Sequence, residues 1–210
     1  PLCNVTALSY EPVFSDNSEV VITGNISDVN LFIQFAGAPS QPVTITFVFD
    51  GVNSSSSTNI IPSIKAGAFP AGSKIIIILA NGANLLAAGG NGGRGGRNFY
   101  DDENSKWIRF PPANGTDGGV VYDAQGIDTD IYFSGSTPSA LFPVADGSIK
   151  APTGGAGGFM DIASGTGAGG DGGDGGDGSI PGSGGPAGYS NDVYANNGAN
   201  GTIDGTGTGF

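Results

Sequence analysis

Residues 89–97 read Gly89-Gly90-Asn91-Gly92-Gly93-Arg94-Gly95-Gly96-Arg97, and residues 169–178 repeat the same Gly-Gly-x beat with Asp171, Asp174 and Asp177 in the third place. A left-handed helix of the polyproline II type has three residues per turn and no internal hydrogen bonds, so this period gives it two bare edges and one that carries side chains. Bare edges let backbones approach, and the free amides and carbonyls of one such helix can be satisfied by its neighbours. The period therefore predicts a sheaf of polyglycine helices. The opposing reading is a flexible linker, because ordering costs roughly 1 to 2 kcal/mol of backbone entropy per residue and glycine has the most freedom to lose. Against a linker stand the register of the third position and the interleaving of apolar segments such as residues 126–133 with the glycine runs.

Outward from these runs, the glycines are uneven. Of 40 in the 210-residue chain, only Gly24, Gly37, Gly51, Gly67 and Gly72 precede Asn81. That shift marks a boundary near Leu79, dividing residues 1–79 from residues 80–210. In the first part, residues 5–10, 19–23, 31–35, 43–49 and 74–79 are β-branched or aromatic and bounded by Asn, Gly, Pro, Asp or Ser, so they read as strands. Residues 53–58 read as an exposed loop, and no segment has a 3.6-residue period. These features predict a small antiparallel β-sandwich with essentially no α-helix.

The second part contains a repeat. Residues 80–93 match residues 145–158 without gaps, each copy being a turn dipeptide, an apolar bridge and a glycine run; a weaker third copy spans 197–209. Repeated units imply stacking of like with like. The scaffold glycines are Gly89, Gly90, Gly92, Gly93, Gly95 and Gly96 in the unit at 80–97, Gly154, Gly155, Gly157 and Gly158 in the unit at 145–158, and Gly172, Gly173, Gly175 and Gly176 in the acidic run. The expected fold is mainly β: a sandwich-like N-terminal part, then a glycine-rich β and polyglycine II scaffold with irregular loops.

Two insertions carry the large side chains. Residues 98–117 hold Phe99, Tyr100, Trp107 and Phe110 among Asp101, Asp102, Glu103, Lys106 and Arg109, and residues 179–197 hold Tyr189 and Tyr194. Tyr and Trp give large contact area at low entropic cost, and loops on a rigid scaffold are where recognition resides. Phe99, Tyr100, Trp107, Arg109, Phe110, Tyr189 and Tyr194 are accordingly the candidate binding residues. The alternative is that these aromatics pack down as lids on a scaffold whose own residues are too small to form a core.

Much chemistry is excluded or unsupported. With no histidine and one cysteine, the chain lacks Ser-His-Asp and Cys-His machinery, an intrachain thiolate zinc site and an intramolecular disulfide. Seven Lys and Arg residues against a net charge of −12 argue against a nucleic-acid partner. Residues 67–74 end in Gly-Ser-Lys where a Walker A loop requires Gly-Lys-Ser or Gly-Lys-Thr, and Gly165, Gly167 and Gly170 fit Gly-x-Gly-x-x-Gly without a strand before or a helix after. Asp101, Asp102, Asp128 and Asp130 have no evident arrangement across a cleft. The expectation is a non-enzyme with no cofactor and no metal. For calcium, residues 172–180 approach the nine-residue β-roll pattern, but Ser179 stands where a large apolar residue belongs. On a three-fold helix Asp171, Asp174 and Asp177 share one edge about 9 Å apart. They read as a solvated acidic edge, or one facing Arg94 and Arg97.

Residues 66–97, with Phe69-Pro70-Ala71-Gly72-Ser73, the strand at 74–79, Asn81-Gly82 and then the Gly-Gly-x run, resemble the glycine-rich C-terminal region of bacteriophage tail-tip proteins. The style is also similar to that of the adhesins at the ends of T-even-like phage tail fibres. The resemblance covers residues 66–210 and implies an extracellular virion protein of the tail, working beside other tail proteins and commonly trimeric. It implies that loops at 98–117, 159–166 and 179–197 bind a bacterial outer-membrane protein or surface glycan. The long stretch 120–150 and the short glycine runs depart from the adhesin pattern, which favours a mixed β and polyglycine arrangement. The rival reading is a structural tail or capsid decoration whose glycine runs pack subunits together. An ice-binding bundle is disfavoured by Asn, Arg and Asp at the third positions, and a glycine-rich matrix protein is a further alternative.

Overall fold

A computed structural model describes residues 18–35, 38–156, 158, 171–190 and 193–203. Its first half is a stack of coils. The first coil comprises β1 (Ser18–Thr23), β2 (Ile26–Ser27), β3 (Val29–Asn30) and a one-turn helix α1 (Leu31–Gln34); the second comprises β4 (Thr44–Asp50), β5 (Ser54–Ser55) and β6 (Ile64–Lys65). The third has β7 (Lys74–Ala80) and β8 (Asn84–Leu86), leaves the stack through the hairpin β9 (Arg97–Asp101) and β10 (Lys106–Phe110), and returns at β11 (Tyr122–Asp123). The fourth has β12 (Asp128–Tyr132), a covering hairpin of β13 (Gly135–Ser136) and β14 (Val144–Ala145), and β15 (Ser148–Lys150). A last hairpin, β16 (Tyr189–Ser190) and β17 (Val193–Tyr194), lies far along the chain.

Corresponding strands pair in parallel. One sheet runs β1-β4-β7-β12 and another β11-β6-β3, while β2 pairs β5, Asn53 bridges Asn84, and β8 pairs β15. The molecule is mainly β, as the sequence predicts, but this is a parallel coil stack where an antiparallel sandwich was expected. The physical reason is visible in β7, where Ile75, Ile77, Ile78 and Leu79 are all fully buried. Near-continuous apolar strands are those covered on both faces, the usual condition of parallel sheets. Val20, Phe47, Ile77 and Ile131 stand in one register column and Ile22, Phe49 and Leu79 in another, closing the interior with Leu31, Val52, Ile64 and Leu85. On the outer face, Val48 and Ile78 are covered by Ala145 and Phe142 of the β13–β14 segment.

Other local expectations change with this topology. Residues 31–34 form a helical turn where a strand was expected, capped by Asn30, whose Oδ1 accepts from the Phe32 amide at 3.1 Å. Residues 53–58 are not an exposed loop: Ser54 and Ser56 are buried, and their hydroxyl oxygens accept from the amides of Leu86 and Ala88. The stack also extends beyond Leu79, since β11 and β12 pair with β6 and β7 of the first eighty residues and β15 pairs with β8. The expected strand at 5–10 lies outside the described residues. Lys74 on the outer face reaches Asp130 at 2.7 Å and Asp128 at 3.7 Å, and the hydrogen bond to Asp130 holds its ammonium above the ordinary lysine pKa.

The glycine runs leave the stack and assemble side by side. Residues 87–96 form the first, 111–119 the second, 151–156 with Gly158 the third, 171–179 the fourth, 180–188 the fifth and 195–203 the sixth. Every third amide of the first run donates to the fifth: Gly89 to Ile180 O at 2.9 Å, Gly92 to Ser183 O at 2.8 Å and Gly95 to Pro186 O at 3.0 Å. Gly90 and Gly93 donate to the third run at Thr153 O and Ala156 O. The same run accepts from Ala113, Thr116 and Gly119 of the second and from Gly173, Gly176 and Ser179 of the fourth. The fourth run in turn bonds to the third, fifth and sixth. The first and fourth runs are therefore the central pair of a three-layer bundle, the second and third forming one outer layer and the fifth and sixth the other. This three-residue ladder between runs is what a polyproline II backbone requires.

Glycine is needed here for closeness. None of the glycines in the runs has a positive φ among the described residues, so left-handed backbone is not the reason. A Cβ on Gly89 would strike the carbonyl of Gly176, on Gly92 that of Gly173, on Gly90 that of Thr116 and on Gly93 that of Ala113. The two glycines of each turn thus face two different neighbours. Gly157 lies outside the described residues.

Candidate functional site

At the rim of the bundle several amides meet a side-chain acceptor on a neighbouring run, whereas the third-place residues Thr153 and Ala156 of the third run donate to the Asp177 and Asp174 carbonyls. Asp171 Oδ1 accepts from the Asn196 amide at 2.8 Å, Asp174 Oδ1 from Ala199 at 2.7 Å and Asp177 Oδ1 from Thr202 at 2.6 Å. Asn91 Oδ1 accepts from Ser183, Asn197 Oδ1 from Ala187, and Thr116 Oγ1 from Asn91. The aspartates are therefore stitches between the fourth and sixth runs. Asp171 and Asp174 keep the expected solvated edge while Asp177 is buried, and the described hydrogen-bond partners of all three carboxylates lie on the sixth run, where an edge facing Arg94 and Arg97 was the alternative. Sequence reasoning missed the stitching, although the recurrence of Asn, Asp and Thr in register was its signal. Among the described residues no group of three or more Asp, Glu, Cys or His is placed to hold a metal ion.

Consecutive runs alternate in direction, so the links after residues 96 and 188 both fall at the end of the bundle away from the coil stack. Ten residues at a rise of about 3.1 Å put that end about 30 Å from β8. There the two hairpins join into one sheet of order β10-β9-β16-β17. Within it Tyr100 stands opposite Trp107, Ile108 opposite Phe99, Phe110 opposite Arg97 and Tyr189 opposite Tyr194, while Ser190 pairs with Asn98 across the junction. Thus Phe99, Tyr100, Trp107, Arg109, Phe110, Tyr189 and Tyr194, which come from two insertions about ninety residues apart, occupy a single small sheet.

The described side chains of this tip are accessible. Tyr100 is 40% exposed and Phe110 37% exposed, and Arg109 and Lys106 are exposed as well. By the strand period of two, Tyr100 and Arg109 belong to one side of the hairpin and Arg97, Ile108 and Phe110 to the other. On the latter side the Arg97 guanidinium lies over the Phe110 ring, 5.1 Å from its centroid, a cation–π contact at the foot of the hairpin. Asp101 accepts from the amide and side chain of Asn104, which fixes the reversal between β9 and β10.

The expected loop boundaries need correction. Of residues 98–117, only 98–110 form the tip, whereas 111–117 belong to the second glycine run and bond to the first. Residues 180–188 and 195–197 are likewise bundle rather than loop. The expected loop at 159–166 lies outside the described residues. Compared with protein-family models, curated proteins and solved structures, the chain gives no match.

Proposed function

We propose that this chain is a host-attachment module of a bacteriophage tail tip or fibre, and that the β10-β9-β16-β17 sheet engages a bacterial outer-membrane protein or surface glycan. The observation that carries this reading is the tip itself: an aromatic and cationic sheet, gathered from two distant insertions, at the end of a rigid hydrogen-bonded bundle. Such a design holds rigid aromatic groups in place before contact, so little conformational entropy is lost on binding. The module is non-enzymatic, extracellular in the virion and associated with other tail proteins, in a homotrimer.

The test is saturable binding of the purified chain to whole Gram-negative cells, compared with a variant in which residues 99–108 are replaced by a two-residue turn, with folding checked by circular dichroism. The attachment reading predicts binding that disappears in the folded variant. Equal binding by both purified chains, or altered-tip virions that fail to assemble while the purified folded variant still binds cells normally, would overturn it in favour of a structural role.

A further inference from the structure

Arg94 departs from the stitching of the rim. Three residues earlier, Asn91 Oδ1 accepts from the Ser183 amide at 3.0 Å, and the first run keeps this register with the fifth, Gly92 donating to Ser183 O and Gly95 to Pro186 O. By the same register the residue beside Arg94 is Pro186, which has no N–H to be satisfied. The scaffold needs no acceptor at this position, and the side chain that stands there carries donors only. Among the described residues no hydrogen bond or ion pair engages the Arg94 guanidinium.

The setting prepares this side chain for an anion. Its Nε is buried, which holds the stem against the bundle, while the residue as a whole is only partly buried and its two Nη groups stay at the surface. Arg97, the next third-place residue, lies about 9 Å further along the same edge. Its Nε is buried too, and its guanidinium is fixed over the Phe110 ring at 5.1 Å. Arg109, opposite Asn98, brings a third cation to the foot of the hairpin, whereas Asp101, Asp102 and Glu103 lie at its far end. A cationic strip is thus confined to one place on a chain of net charge −12.

We propose that this edge binds an acidic glycan, with successive carboxylates taken by Arg94 and Arg97. A guanidinium fork matches a carboxylate in plane and in donor spacing, and a stem already fixed by burial loses little freedom on binding. Two forks at a set interval on a straight edge suit a chain with regularly spaced acids better than the irregular acids of a protein loop. A single charge per acidic group also limits repulsion from the acidic remainder of the molecule, which disfavours phosphate. The inference names the ligand class for the attachment reading and rests on it for the source of the glycan, the cell surface.

The experiment is an amide NMR titration of the whole chain with oligogalacturonate, its methyl ester serving as the uncharged counterpart. Saturable shifts are expected at Gly93, Gly95 and Gly96 with the acid and none with the ester. Arg94→Gln, which removes the charge but leaves every bundle hydrogen bond in place, should weaken affinity about tenfold or more, the scale of a hydrogen bond to a charged group. Lys150→Gln, at an exposed cation on the coil stack, should leave affinity unchanged. Equal loss in the two variants, or equal shifts with the ester, overturns the proposal. Tighter binding of inorganic polyphosphate or of oligoglutamate than of oligogalacturonate overturns it in favour of phosphate or of a protein loop. A chain that binds cells but shows no shifts with oligogalacturonate overturns this inference alone; one that shows them and binds no cells upholds the carboxylate site and overturns the attachment reading.

Discussion

Gly92 and Gly154 are both scaffold glycines, yet their surroundings predict opposite outcomes on substitution. A Cβ on Gly92 would collide with backbone of Gly173 and Gly185, whereas on Gly154 the nearest atom is Thr116 O at 3.3 Å. Gly92→Ala should lower stability by roughly 1 to 3 kcal/mol through overpacking. Gly154→Ala should change it little, or raise it by a few tenths up to about 1 kcal/mol because the unfolded chain loses freedom. Thermal unfolding of the two variants checks the sign of each. The rim behaves differently, since there side chains act as acceptors. Asp174→Ala should cost about 0.5 to 1.5 kcal/mol by leaving the Ala199 amide to water, while Asp174→Asn retains an acceptor and most of the stability. Equal loss in both would mean that carboxylate charge, rather than the stitch, is what matters.

At the level of elements, the β stack and the tip were legible to different degrees. The strand at 74–79 was readable because β-branched residues ran unbroken, but the same run hid its partners: parallel coils and sandwich strands share composition, and only the burial of Ile77 and Ile78, on opposite faces, separates them. The strand expected at 31–35 became a helical turn because Asn30 caps it, a local bond that outweighs the β preference of Phe32 and Ile33. The repeat at 80–93 and 145–158 does place β8 beside β15, though the pairing of Asn84 with Ser148 is one residue off the sequence alignment. The candidate residues were chosen by type, and nothing in their spacing told that two hairpins would merge. For this sheet, Tyr100→Ala and Arg109→Ala should each weaken cell binding about tenfold or more, as truncation of an anchoring Tyr or Arg does, with the melting temperature unchanged. In the stack, β11 supplies an alkaline limit. Tyr122 is half-buried, with its hydroxyl 2.9 Å from Thr129 Oγ1, and burial raises its pKa above the usual value for tyrosine. A folded pKa above the unfolded one gives stability that is fully present below about pH 10 and lost as pH rises through the folded value. Urea unfolding from pH 8 to 11.5 should show that decline, and Tyr122→Phe should reduce its steepness.

For the whole molecule, two kinds of order meet without a conventional core joining them. The coil stack is held by apolar burial around Phe47, Phe49, Ile77 and Leu85, and the bundle by hydrogen bonds between glycine backbones that have no side chains to bury. Because net hydrogen bonds contribute only about 0.5 to 1.5 kcal/mol each against a comparable entropy cost per residue, the bundle needs its anchorage to the stack at residues 87, 119 and 151 as well as its own ladder. That balance makes the order of the glycine runs the central claim on which the display of the tip depends. Amide hydrogen exchange by NMR tests it most directly. The account predicts slow exchange at Gly90, Gly92, Gly93, Gly173 and Gly176 in the two central runs, and fast exchange at the rim glycine Gly154. Uniformly fast exchange across all of these glycines, at the rate of an unstructured peptide, would contradict the bundle and return the runs to the status of linkers.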